Sequence, residues 1–362
     1  MSTKKGTTIF KKMVGIFMIV NVTMAVGLVI GLTYLAQKSN QANDAAATAK
    51  QIDFWMLQAR RNEKDSQLRD IRSAELYKQG TGVNIAKHAE STGSLMKAID
   101  QLDALHAVKD EKTISNLRTA VQVYKDSFAK LVSAYRTRGF AEWGVEGQLH
   151  VEAADLQGQL SRIGNPALES AALELGRIQE RYLLQGGPDL FNQLEQNAKA
   201  LRGKASSLPV PTRTQVIGDV DKYIATARRY QQLQTEIGLT ENDGLQGVMR
   251  DAIHKVEPLV ATVVDETTAL AATSAGFVRK LILVLAIILG STTIGGLIFS
   301  AFARSLSKAI GKVVNLLGNL ANGDLRKRVD AALKQRTDEI GLLAEALDRT
   351  MINLTDLAST IQ

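Results

Sequence analysis

Residues 281–303 read LILVLAIILGSTTIGGLIFSAFA, a run without a single charge. At about 1.5 Å of rise per residue, such a run crosses a hydrocarbon core of roughly 30 Å as one helix. Residues 13–35, MVGIFMIVNVTMAVGLVIGLTYL, form a second uncharged run of the same kind. Two membrane spans bracketing a long hydrophilic segment are the layout of a membrane-spanning sensor.

Orientation follows from the flanking cations, because Lys and Arg close to a span tend to stay in the cytoplasm. Lys4, Lys5, Lys11 and Lys12 precede the first span, and Arg304, Lys308 and Lys312 follow the second. Both ends are therefore expected inside and the middle outside. Arg279 and Lys280 weaken that bias, although long cationic side chains snorkel to the interface. A cleaved signal peptide is the alternative for the first span; its apolar run is long for one, and no clear A-x-A site follows. The expected division is a cytoplasmic tail at 1–12, spans at 13–35 and 279–303, and a periplasmic sensor segment at 36–278. A cytoplasmic relay at 304–357 and the start of an output region at 358–362 complete it.

Composition narrows the classes. The chain has no cysteine, which excludes disulfides, thiolate metal sites and cysteine nucleophiles. With five prolines among 362 residues and an excess of helix formers, the outer segment reads as nearly all helix. The formal charge of +7 partly reflects the juxtamembrane lysines and arginines. No aromatic-interleaved basic stripe accompanies it, so nucleic acid is not expected as a partner. The histidines at 88, 106, 150 and 254 have no metal-ligand spacing. Neither a metal nor a cofactor is expected, and no paired nucleophile and base argues for an enzyme.

The outer segment contains one pattern twice. Arg60, Glu63 and Lys64 form R-x-x-E-K, answered by Arg177, Glu180 and Arg181 as R-x-x-E-R. Gly139, Gly144, Gly147, Leu149 and His150 are answered by Gly238, Gly244, Gly247, Met249 and Arg250. Tyr124 and Phe128 precede the first glycine cluster, as Tyr223 and Tyr230 precede the second. Two related helical modules follow, with breaks expected at Gly80-Thr81-Gly82, at Gly186-Gly187-Pro188 and at Leu208–Pro211. Helical pairs stacked end to end would form an elongated bundle between the spans.

Beyond the second span, Leu306, Ile310, Val313, Leu317 and Leu320 keep the a/d spacing of a coiled-coil seam. Ile340, Leu343, Leu347, Thr350, Leu354, Leu357 and Ile361 do so again. Gly323-Asp324-Leu325 lies between the runs, and Asp338-Glu339-Ile340-Gly341 opens the second. This segment resembles a HAMP relay over roughly 304–357, with Gly323, Leu325, Asp338, Glu339 and Gly341 as relay positions. Ala309 stands where many such modules carry proline. The heptad helices need a second copy to complete a four-helix bundle, so a homodimer is expected. Gly27-x-x-x-Gly31 and Ser291-x-x-x-Gly295 offer small-residue contacts within the membrane.

The whole chain resembles the sensor half of a methyl-accepting chemotaxis receptor from a bacterial inner membrane. Its outer segment is similar to the helical bimodular sensor domain; the repeated R-x-x-E elements and the run Gly244–Glu257 carry that likeness. The resemblance implies small organic acids as ligands, with one site per module. Arg60, Arg61 and Arg250 are the candidates in the first, Arg177, Arg181 and His150 in the second, since guanidinium forks suit carboxylates. The plainer alternative is that each R-x-x-E is a surface ion pair worth a few tenths of a kcal/mol. Glu63 departs from a purely cationic site and favours a zwitterion or an amine. No output domain is legible before Gln362, so cytoplasmic signalling proteins or a further segment are expected to receive the signal. A histidine-kinase sensor and a ligand-free structural membrane protein are the other readings.

Overall fold

The structure, a computed structural model, describes residues 9–361; Lys4, Lys5 and Gln362 lie outside them. It is all-α, with no strand among the described residues. In chain order the helices are α1 (Ile9–Leu68), α2 (Ala74–Gln79), α3 (Val83–Ala104), α4 (Glu111–Arg138), α5 (Gly144–Ile163) and α6 (Pro166–Gln185). Then come α7 (Pro188–Lys204), α8 (Val210–Ile237), α9 (Gly244–Ala321), α10 (Ala331–Lys334) and α11 (Glu339–Ile361). The chain divides into two compact units, Asn40–Ser274 and the residues that flank it.

Asn40–Ser274 has two hydrophobic cores. The first gathers Ile52, Met56 and Ala59 of α1, Leu95, Ile99 and Leu102 of α3, Leu117, Val121 and Tyr124 of α4, and Ile253, Val256 and Val260 of α9. The second is built from α5 to α8, through Leu149, Leu156, Leu175, Tyr182, Leu194, Leu201, Val220 and Tyr223. Each helix supplies apolar positions three and four apart, the spacing that puts them on one face, and each such buried side chain favours the fold by about 1.5–3 kcal/mol.

The bundles do not follow the sequence repeat. In the repeat, α5 ends the first copy and α9 the second, yet α5 packs with α6–α8 while α9 closes the bundle of α1, α3 and α4. The two copies exchange their last helices. Burial also fixes the register between them. Ile52, Met56, Ala59, Asn62, Glu63 and Ser66 are buried on α1, and Leu168, Ala172, Leu175, Ile178, Gln179 and Tyr182 on α6. Glu63 therefore corresponds to Gln179, and Arg177 to Arg61, one residue away from the pairing that the R-x-x-E motifs imply.

The expected breaks are real. Gly80, at φ 81°, ends α2, and Gly186 and Gly187 separate α6 from Pro188 at the start of α7. Between α3 and α4 the chain turns without glycine or proline, through His106 at φ 47°, and Asp110 caps α4 by accepting from the Lys112 amide at 3.0 Å. The glycine clusters serve close approach. A Cβ on Gly147 would lie 2.2 Å from the Glu142 carbonyl oxygen, and one on Gly247 2.3 Å from that of Asn242.

In the flanking unit, the apolar stretches of α1 and α9 are both long and apolar enough to cross a membrane. Ile19, Ile30, Ile287 and Leu297 are exposed there, as side chains facing lipid are. Phe17 stacks on Phe299 at 5.4 Å, beside Gly296, whose added Cβ would fall 2.7 Å from the Phe17 ring. Gly27, Gly31 and Gly295 have nothing at that distance among the described residues, so Gly296 is the glycine that permits contact within this chain. Past the apolar run, Ala309, Val313 and Leu316 of α9 pack with Val329, Leu333 and with Ala344, Leu347 and Met351 of α11. Leu317, Leu343, Leu354 and Leu357, four of the expected seam residues, remain exposed. The small Ala309 side chain is buried in the packed face.

Candidate functional site

Helix α1 is held in the first bundle by its buried face, which leaves Arg60 and Lys64 on the edge toward α9. On α9 the positions 246, 249, 250, 253 and 254 recur at helical spacing and face the same way. Together these residues line a cleft of about 410 Å³, open to solvent, with Glu63 and Glu241 also in its wall. The structure thus brings Arg60 and Arg250 together. Arg61 points elsewhere, into a separate cleft of about 390 Å³ with Phe54, Trp55, Asn62 and Lys87.

Both arginines of the α1/α9 cleft are already paired. Arg60 bonds Glu257, which also faces His254 Nδ1 at 3.2 Å, and Arg250 bonds Glu241. The Glu241 side chain is 73% exposed, so that pair is a surface ion pair worth about 0–1 kcal/mol and a competing carboxylate displaces it at little cost. Glu63 is different. It is buried, and its Oε2 accepts the Tyr124 hydroxyl at 2.6 Å. Burial pushes its carboxyl above the usual range, opposed by the Tyr124 hydrogen bond and by the charges of Arg60 and Lys64. Tyr124 is raised in turn, by burial and then by Glu63.

The second bundle repeats the arrangement between α5 and α6. A cleft of about 530 Å³ there is lined by His150, Arg177, Gln179, Glu180 and Arg181. His150 sits where Arg250 does, 3.4 Å from Glu180 and 3.2 Å from the Gln179 amide nitrogen. Gln179 accepts the Tyr223 hydroxyl at 3.0 Å, the counterpart of Tyr124 on Glu63. Arg177 turns outward to Glu174 at 3.0 Å. All three predicted residues of this module share the cleft, although Arg177 is spent on a surface pair.

Lys64, Tyr124, Glu241 and His254 are not among the candidate binding residues of the sequence, although Lys64 and Tyr124 belong to the repeated pattern. His254 and Glu257, one turn apart beyond Arg250, carried a usable signal; Glu241 in its glycine turn carried none.

In the relay segment Gly323 has φ 78° and its amide bonds the Leu320 carbonyl at 3.0 Å, ending α9. Asp338 accepts from the Gly341 amide and pairs with Arg336, which holds its carboxyl down at about 2. Glu339 is exposed and Leu325 half-buried. A Cβ on Gly341 would fall 2.0 Å from the Arg336 carbonyl oxygen.

Residues 301–356 match the family model of the HAMP domain. No curated protein and no solved structure matches the chain. With its two membrane-length helices and this domain, the chain is a HAMP-containing transmembrane signal transducer.

Proposed function

We propose that this transducer is a receptor whose α1/α9 cleft takes a small molecule bearing a carboxylate. One observation carries the reading: three cations, Arg60, Lys64 and Arg250, line one open cleft. One of its walls is α9, the helix that also contains the second apolar run and the first part of the HAMP match. A ligand that prefers one packing of α1 against α9 shifts the population of that packing by its differential affinity, and α9 carries the shift along its own backbone. The exposed seam leucines Leu317, Leu343, Leu354 and Leu357 support a homodimer, in which a second copy covers them. The flanking cations support cytoplasmic ends and an outer sensor segment. A chemoreceptor of the bacterial inner membrane, passing its signal to cytoplasmic proteins, is the output the family resemblance favours over a histidine kinase.

The test uses the full chain in lipid nanodiscs, titrated with small organic acids and amino acids while melting is followed. A ligand at a hundred times its Kd raises stability by about 2.7 kcal/mol. Arg250→Ala is expected to weaken that ligand at least tenfold. Binding that Arg250→Ala leaves intact would move the site elsewhere.

A further inference from the structure

The two clefts are copies of one design, and the difference between them is informative. At the floor of the first is a carboxylate, Glu63, beneath a tyrosine hydroxyl; in the second the same position holds a neutral amide, Gln179, beneath its own tyrosine. At the rim, Arg250 faces the first and His150 the second. Opposite charges have been placed, or removed, as a pair.

That pairing matters for what fits. An added monocarboxylate on Arg250 would share the cleft with Glu63, which is only 8% exposed and poorly screened. Of its two oxygens, Oε2 holds the Tyr124 hydroxyl, and Oε1 has no hydrogen bond among the described residues. That oxygen is not sealed in the core, and Glu63 lines the open cleft, so a ligand ammonium with up to three donors can take the place of solvent on it. Arg250 meanwhile gives up only a solvent-exposed partner, Glu241. Each of the three cations that line the cleft has a carboxylate close by: Arg60 has Glu257, Arg250 has Glu241, and Lys64 is near Glu63.

We propose that the α1/α9 cleft is selective for a small zwitterion of the amino-acid type, its ammonium on Glu63 and its carboxylate on Arg250. This deepens, and rests on, the receptor reading above. The α5/α6 cleft lacks both charges and does not share this selectivity.

The experiment is calorimetric titration of the full chain in nanodiscs with matched sets: each amino acid, the carboxylic acid lacking its amine, and the amine lacking its carboxylate. The expected result is at least one amino acid that binds tenfold or more tightly than either partner compound. Glu63→Gln should abolish that preference, bringing the amino acid and its deaminated acid within about threefold. Gln179 beneath Tyr223 shows that an amide fits under the tyrosine, and a circular dichroism melt checks that the variant is folded. Tyr124→Phe keeps the Glu63 charge and should retain the preference. Should deaminated acids bind as well as amino acids in the unaltered protein, the zwitterion assignment fails while the receptor reading stands. No binding by any member of the sets overturns both.

Discussion

His88 shows what one buried polar side chain does to this fold. It lies in the first bundle with its ring 3.8 Å from that of Phe128, and its Nε2 has no hydrogen-bond partner. Burial, helped by Lys125, lowers its pKa to about 3. Above its ordinary value near 6.5 the ring is neutral whether the chain is folded or not. Between there and about 3 only the unfolded chain takes up the proton, so stability falls as pH falls, by about 2 kcal/mol at pH 5. Phe191 occupies the corresponding place on α7, where Leu194, Ala198 and Leu201 match the buried Ser91, Leu95 and Ala98 of α3. His88→Phe is therefore expected to narrow the difference in Tm between pH 7.5 and pH 5. An unchanged difference would place the acid sensitivity at another group. The site was legible at this scale only in part. Arg60 and Arg250 are grouped through the family resemblance, whereas the glycine spacing by itself sets His150 in the copy of Arg60 and Arg250 in the copy of Arg177. The offset of Arg177 was not legible, since R-x-x-E describes an exposed edge and register is set by the buried face.

Glycines with the same composition signal do opposite jobs in the helices. Gly247 packs its α-carbon against the Asn242 carbonyl, and Gly247→Ala should destabilise by about 2 kcal/mol or more, because backbone on both sides must move. Gly218, inside α8, has open space around it, and Gly218→Ala should stabilise by about 0.5–1 kcal/mol through helix propensity alone. Denaturant melts of the two variants, read side by side, separate the cases; the same sign for both would refute the packing argument. The helix ends marked by glycine and proline were readable because those residues act locally. The turn from α3 to α4 was not, having only Asp110 as a cap. The heptads were readable as apolar stripes, yet a stripe does not say which of its neighbours packs inside the chain. Ala309, Val313 and Leu316 do, and Leu317 stays outside.

At the scale of the sensor unit, the repeat does not reveal the exchange of α5 and α9, because likeness between segments says nothing about which copies pack together; only the family resemblance sets Arg250 with Arg60 and His150 with Arg177. The second core draws all its buried members from residues 145–230, on α5–α8 and the α7–α8 connection. A fragment spanning 143–238 is therefore expected to fold alone as a cooperative helical bundle, checked by circular dichroism and thermal melting. A fragment spanning 40–138, which lacks α9, should melt without cooperativity until a peptide covering 244–270 is supplied. Independent cooperativity in that fragment would show that α9 is not needed to close its bundle. The exchange also sets a timetable for synthesis. The inserted bundle is complete as soon as Ile237 has left the ribosome, while the first bundle waits, three helices around an open groove, until α9 arrives. The cleft between α1 and α9 joins the earliest and the latest segments of the sensor unit to be made, so a molecule bound there seals the contact the nascent chain forms last.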